Sequence, residues 1–165
     1  MTLLLDPTKV EADQEYLLMA VAERDKSDDP KAVHVRQSGV GAVIVGKNGV
    51  ISKSANVLPP SLKQRHDADG LPVTESERYH LIEHAERAAI FKSLLSGQSL
   101  AGATLYCTRF PCSDCARAMV WAGISRVVLA SGYAGEEKWL ESQRVAMRLM
   151  RRAGVIVKIN KRGCD

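Results

Sequence analysis

Two short stretches hold the residue types that can do chemistry: His84-Ala85-Glu86 and Pro111-Cys112-Ser113-Asp114-Cys115. One imidazole and two thiolates make a three-ligand set suited to Zn²⁺, with one tetrahedral position left open. Glu86, two residues beyond His84, places a carboxylate beside that position, close enough to move a proton without binding the ion. Cys-x-x-Cys at the start of a helix-like run puts both sulfurs on one side of its first turn. The helix dipole and free N–H groups there lower thiol pKa and favour thiolates. His84 also stands near the start of a helix-like run, 83–95, so two helix N-termini can converge on one ion. The reaction that this set supports is attack by an activated water on an electrophilic carbon, with Glu86 moving the proton from that water to the leaving group.

Three other readings use part of the set. A purely structural zinc site needs a fourth protein ligand, for which Cys107, His66, His80 and Cys164 are available, none at a tight spacing. A redox Cys-x-x-Cys leaves His84 and Glu86 without a role. His80-Leu81-Ile82-Glu83-His84 fits the H-x-x-E-H pattern of certain metalloproteases, with both histidines on one helix face and Glu83 as base. That pattern leaves Pro111–Cys115 unexplained; only the open zinc site with Glu86 beside it uses both stretches. Cys107 reads as a small apolar residue of its strand and Cys164 as a mobile surface thiol.

The elements that must position these residues follow from apolar periodicity. The pattern predicts a helix over 12–25, a polar loop over 26–35, a buried strand over 40–45, a tight Asn48-Gly49 turn and an antiparallel strand over 50–57. The stretch 58–78, broken by Pro59-Pro60, Gly70 and Pro72, reads as a long irregular loop, either a lid over the site or a mobile segment. Lys63, Arg65, Arg78 and Arg109 are its cations and near neighbours, placed by chain position to meet an anionic ligand. Then come the helix 83–95, a strand 104–108, the helix 113–122 closed by Gly123, a strand 126–130, a long helix 136–153 and a strand 155–159. A hairpin followed by alternating helices and strands indicates an α/β sandwich with a mixed sheet.

At 165 residues the chain suits a single domain, 1–165, with its core over 11–159 and no need of disulfides. A net charge of +4 suits an anionic small molecule and is too weak to demand nucleic acid; eight Phe, Trp and Tyr give few stacking platforms for it. Arg144, Arg148, Arg151 and Arg152 form a stripe on the last helix that reads as a solvated face. The opening Met1–Pro7 lacks the pattern of a signal peptide, and no apolar run approaches the ~20 residues of a membrane span. The expected location is cytoplasmic.

His-x-Glu with a later Pro-Cys-x-x-Cys is a known signature of zinc-dependent nucleobase deaminases. Together with Val40–Val45, His84–Ile90, Phe110–Ala116 and Ala122-Gly123-Ile124, it makes the chain resemble the cytidine and deoxycytidylate deaminase superfamily, most of all its dCMP deaminase branch. The resemblance implies a three-layer α/β/α sandwich around a five-stranded mixed sheet and one zinc ion on His84, Cys112 and Cys115. Glu86 would be the proton shuttle, Asn56 the sugar contact, the Ala85 backbone a support for the pyrimidine, and Arg109 and Phe110 further substrate contacts. It implies a cytosine nucleotide, dCMP-like, as substrate and a homo-oligomer as assembly. A nucleoside, free base or related amino-heterocycle is the alternative substrate, and a zinc-stabilised RNA-binding module the alternative without turnover. Two departures from the branches stand out. Asn56 is followed by Val57-Leu58-Pro59-Pro60 where dCMP-active members carry Asn-Gly, and Phe110 and Asp114 replace the glutamate and methionine of the tRNA-adenosine branch.

Overall fold

In the computed structural model, which describes residues 7–35, 38–70, 73–132 and 137–160, five strands form one sheet in the order β2-β1-β3-β4-β5. They are β1 (Gly41–Gly46), β2 (Gly49–Ala55), β3 (Thr104–Cys107), β4 (Arg126–Leu129) and β5 (Ile156–Ile159). β1 runs antiparallel to both β2 and β3, whereas β3, β4 and β5 are parallel. The sheet is therefore mixed, as expected. The opening residues 1–6 and Cys164 lie outside the described residues.

Strand residues alternate between two apolar layers because successive side chains leave opposite faces. Val43, Tyr106 and Val128 meet Leu17 and Ala20 of α1 (Pro7–Arg24). Ala42, Ile44, Leu105, Cys107, Val127 and Leu129 point the other way, into a larger core closed by α5 (Ala85–Leu95), α6 (Ser113–Trp121) and α7 (Glu137–Arg152). α1 crosses the sheet so closely that a Cβ on Gly41 would sit 1.9 Å from the Ala20 carbonyl oxygen, so only glycine fits there. The β1–β2 hairpin forms, but its positive φ falls on Gly49 alone and not on Asn48, and the register shifts between Ile44 and Val45.

Two stretches read as irregular are helical. Residues 26–35 contain α2 (Pro30–His34), whose Asp29 cap accepts the Lys31 N–H. Residues 58–78 contain α3 (Pro60–Asp69) and the first residue of α4 (Arg78–Leu81). In α3, Pro60 occupies the first turn and Gly70 takes the left-handed C-cap at φ 63°, so the residues taken as breakers are its start and stop. α3 buries no residue and so has no apolar stripe by which to be recognised.

Candidate active site

β3 and the loop after it deliver Pro111 and Cys112 to the start of α6, and β2 leads through an isolated bridge, Val57 with Glu83, to the start of α5. His84 is the N-cap of α5 and Cys112 the N-cap of α6; neither side chain caps its own helix, so both remain available. Cys115, one turn into α6, is fully buried. His84 Nδ1 lies 3.6 Å from Cys112 Sγ and 3.4 Å from Cys115 Sγ, and the three donor atoms all fall within 4.8 Å of one another. Bonds of ~2.3 Å to sulfur and ~2.05 Å to nitrogen at tetrahedral angles put neighbouring N and S donors about 3.6 Å apart. The donor set therefore fits a tetrahedral zinc.

The proton affinities of the three groups point the same way. A hydrogen bond from Cys115, then one from His84, brings the Cys112 thiol down to about 4. The same bond with Cys112, joined by burial, raises Cys115 well above the ordinary thiol value. The bond to Cys112 also raises His84 to about 9. One thiolate thus gathers the two protons that the other ligands hold, and a divalent cation satisfies all three once those protons leave.

Glu86, on the first turn of α5, is buried, and desolvation raises its pKa. It lines a cavity of about 170 Å³ together with His84 and Cys112. Asn56, Arg109 and Phe110 line the same cavity, whereas Ala85 is buried and does not. The Asn56 Oδ1 accepts the Val40 N–H at 2.8 Å, and its Nδ2 faces Asp29 Oδ2 at 3.5 Å, which fixes the amide. Of the cations singled out by position, Arg78 and Arg109 reach the cavity. Lys63 instead pairs with Asp28 and Asp67, and Arg65 is exposed on α3 away from it.

Sequence reasoning did not single out Asp29, Lys31, Tyr79, Lys138, Trp139 and Gln143 as cavity residues. They come from α2 and its cap, from α4 and from α7, so no single spacing rule gathers them. Only Trp139, whose ring lies edge-on to His84 at 6.1 Å, carried a visible hint as a scarce residue type.

The metalloprotease pattern fails on backbone grounds. α4 ends at Leu81, Ile82 is extended, and Glu83 bridges to Val57, so His80 and His84 do not share a helix. Glu83 is spent on the Arg87 side chain and the His84 N–H. Among the described residues the group of metal-ligating type close enough to hold an ion is His84, Cys112 and Cys115, without His80, His66 or Cys107.

With this geometry in view, the match to the cytidine and deoxycytidylate deaminase zinc-binding region, over residues 10–131, takes in all three ligands and Glu86. The chain belongs to this family. A Drosophila melanogaster relative named "Probable deoxycytidylate deaminase" is 30% identical over 138 residues, 81% of this chain and 66% of that protein. The chain thus spans just under two thirds of that relative's length. The Mus musculus deoxycytidylate deaminase is 28% identical over 140 residues, covering 81% of this chain and 72% of that protein. The fold is that of the apo dCMP deaminase from cyanophage S-TIM5, with a TM-score of 0.67 at 21% identity over 91% of this chain and 98% of that one. Among the described residues no helix is long and apolar enough to cross a membrane.

Proposed function

We propose that the protein is a zinc-dependent hydrolase that deaminates a cytosine nucleotide, dCMP by preference, to the uracil product and ammonia. The observation that carries this reading is a buried carboxylate, Glu86, beside a three-donor zinc set, in a cavity that His84 and Cys112 also line and whose wall is rich in cations. Relatives named deoxycytidylate deaminase, and a fold shared with a phage enzyme solved with dCMP and dUMP, support the choice of substrate.

His84, Cys112 and Cys115 would hold the zinc, which supplies Lewis acidity that makes water a nucleophile near neutral pH. Glu86 takes one proton from the attacking water and gives it to the ring nitrogen as the ring carbon becomes tetrahedral, then takes the second proton from the new hydroxyl and delivers it to the departing amine as the carbonyl forms and ammonia leaves. Burial raises its proton affinity toward the range where a group can both accept and donate. Phe110 supplies an apolar wall and the amide of Asn56 meets the sugar, whereas Ala85, buried outside the cavity, is given no contact with the ring. Lys31, Arg78, Arg109 and Lys138 outnumber Asp29 and Glu86 around the cavity, which favours an anionic substrate over a nucleoside or free base. A homo-oligomer accords with the apolar surface of Phe91, Leu94 and Leu95 on α5 and of Trp121 on α6.

Ammonia release measured with dCMP, CMP, deoxycytidine, cytidine, cytosine, adenine and guanine tests the proposal. Fastest turnover of dCMP is expected. Release from none of them by zinc-loaded protein would rule out a small-molecule deaminase and favour a binding module.

A further inference from the structure

Arg78 is fixed by carboxylates on two edges: Nη1 lies 2.6 Å from Asp29 Oδ2, and Nε lies 3.1 Å from Glu75 Oε2. Its Nη2 donates to the hydroxyl of Tyr79 at 2.5 Å. Lys138, 59 residues further along at the start of α7, donates to the same hydroxyl oxygen at 3.3 Å. Two cations from separate elements therefore converge on one neutral phenol oxygen. The Lys138 ammonium also lies 5.7 Å and 5.8 Å from the ring centroids of Tyr79 and Trp139. All four residues line the cavity that holds His84 and Glu86.

A phenol oxygen is a modest acceptor for two charged donors, whereas an anionic oxygen forms charge-assisted bonds roughly twice as strong. Lys138 and the nearby Arg78 and Lys31 all favour negative charge on that hydroxyl, Lys138 most strongly. The guanidinium is already immobilised by Asp29, so binding an anion costs it little further ordering. Lys138 is exposed and can follow the ligand.

We propose that Arg78 and Lys138 form the subsite for the 5′-phosphate of the substrate, and that the Tyr79 hydroxyl marks the place a phosphate oxygen takes. The inference rests on the nucleotide reading above and adds to it the residues that make the nucleotide preferred. Lys138 lies on α7, past residue 131, where the match to the zinc-binding region ends.

The test compares kcat/KM for dCMP with that for deoxycytidine in zinc-loaded wild type, Lys138→Met, Lys138→Arg and Tyr79→Phe. Losing one charge-assisted bond to phosphate is expected to lower the dCMP-to-deoxycytidine ratio by 10- to 100-fold in Lys138→Met, mainly through KM. Lys138→Arg restores most of it. Tyr79→Phe, which removes the shared oxygen, holds or raises the ratio. Inorganic phosphate inhibits deoxycytidine turnover competitively, and less so in Lys138→Met. Where deoxycytidine turnover is too slow to measure, KM for dCMP carries the comparison. A change in the ratio under threefold in Lys138→Met, or a fall in Tyr79→Phe, overturns the subsite while dCMP deamination stands. Absence of dCMP turnover in wild type removes the nucleotide reading and the subsite with it.

Discussion

Replacing Asp13 with Asn should loosen the layer opposite the site by an amount that the structure sets. Asp13, on α1, is almost fully buried, and four donors converge on its carboxylate. Arg126 Nη1 and Nη2 lie at 2.8 and 2.6 Å, the Tyr106 hydroxyl at 3.0 Å and Lys158 Nζ at 2.8 Å. One side chain thus ties α1 to β3, β4 and β5. Burial pushes its pKa up, but the bonds from Arg126 and Lys158 overcome this and bring it from 3.8 to about 2. Each tenfold change in proton affinity is worth about 1.4 kcal/mol, so the ionised carboxylate stabilises the fold by roughly 2.5 kcal/mol. Arg126 and Lys158 are 13% and 29% exposed and can turn partly to water once unpaired. The loss should therefore fall below the 3–5 kcal/mol of a fully buried broken pair. For a chain of this length that corresponds to a fall in Tm of roughly 5–10 °C at pH 7. Because the folded pKa lies below the unfolded one, the stabilisation is complete above about pH 5 and drains away as pH falls through 3.8 towards 2. About half should remain at pH 3. Urea unfolding of wild type and Asp13→Asn at pH 7 and pH 3 measures both quantities. A gap below about 0.5 kcal/mol at pH 7, or one as large at pH 3 as at pH 7, would refute the reasoning.

Other predictions concern the site and the close packing of α1. Glu86→Gln should lower turnover by about 10²- to 10⁴-fold with zinc near one per chain, measured by ammonia release and metal analysis; loss of zinc would instead make Glu86 a ligand. His80→Ala should leave both zinc content and turnover in place, since α4 ends before Ile82 and His80 is exposed; zinc loss would restore the metalloprotease pattern. Gly41→Ala forces a methyl to 1.9 Å from the Ala20 carbonyl and 2.7 Å from the Arg24 amide. It should cost at least ~2 kcal/mol in urea unfolding, because backbone on both sides must move.

The strands were legible because their faces alternate. Val43 packs towards α1 while Ala42 and Ile44 pack towards α5, and the same parity carries through β3 and β4. α3 was not legible, since a helix lying wholly on the surface carries polar residues all round, and Pro60 and Gly70 act there as start and stop. Asp13 was hidden for another reason. A charged residue on a helix is usually solvated, and only the tertiary arrival of Arg126 and Lys158, 113 and 145 residues away, makes its burial tolerable.

The metal ligands and the cavity wall differ in the kind of information that specifies them. The zinc donors need particular atoms at particular local spacings, His84 at one helix start and Cys112 with Cys115 at another, so the pattern survives in the bare sequence. The wall needs only a net field and a shape, which Asp29, Lys31, Asn56, Arg78, Arg109 and Lys138 supply from points across most of the chain. Residues of that kind can move between elements without changing the reaction, provided that their charges still meet in space. The H-x-x-E-H overlap shows the converse. His80, Glu83 and His84 satisfy a spacing rule, yet a break in the helix at Ile82 and the pairing of Glu83 with Arg87 strip the spacing of its geometry. A motif therefore fixes chemistry only when its backbone context holds, and here two helix N-termini provide that context for zinc.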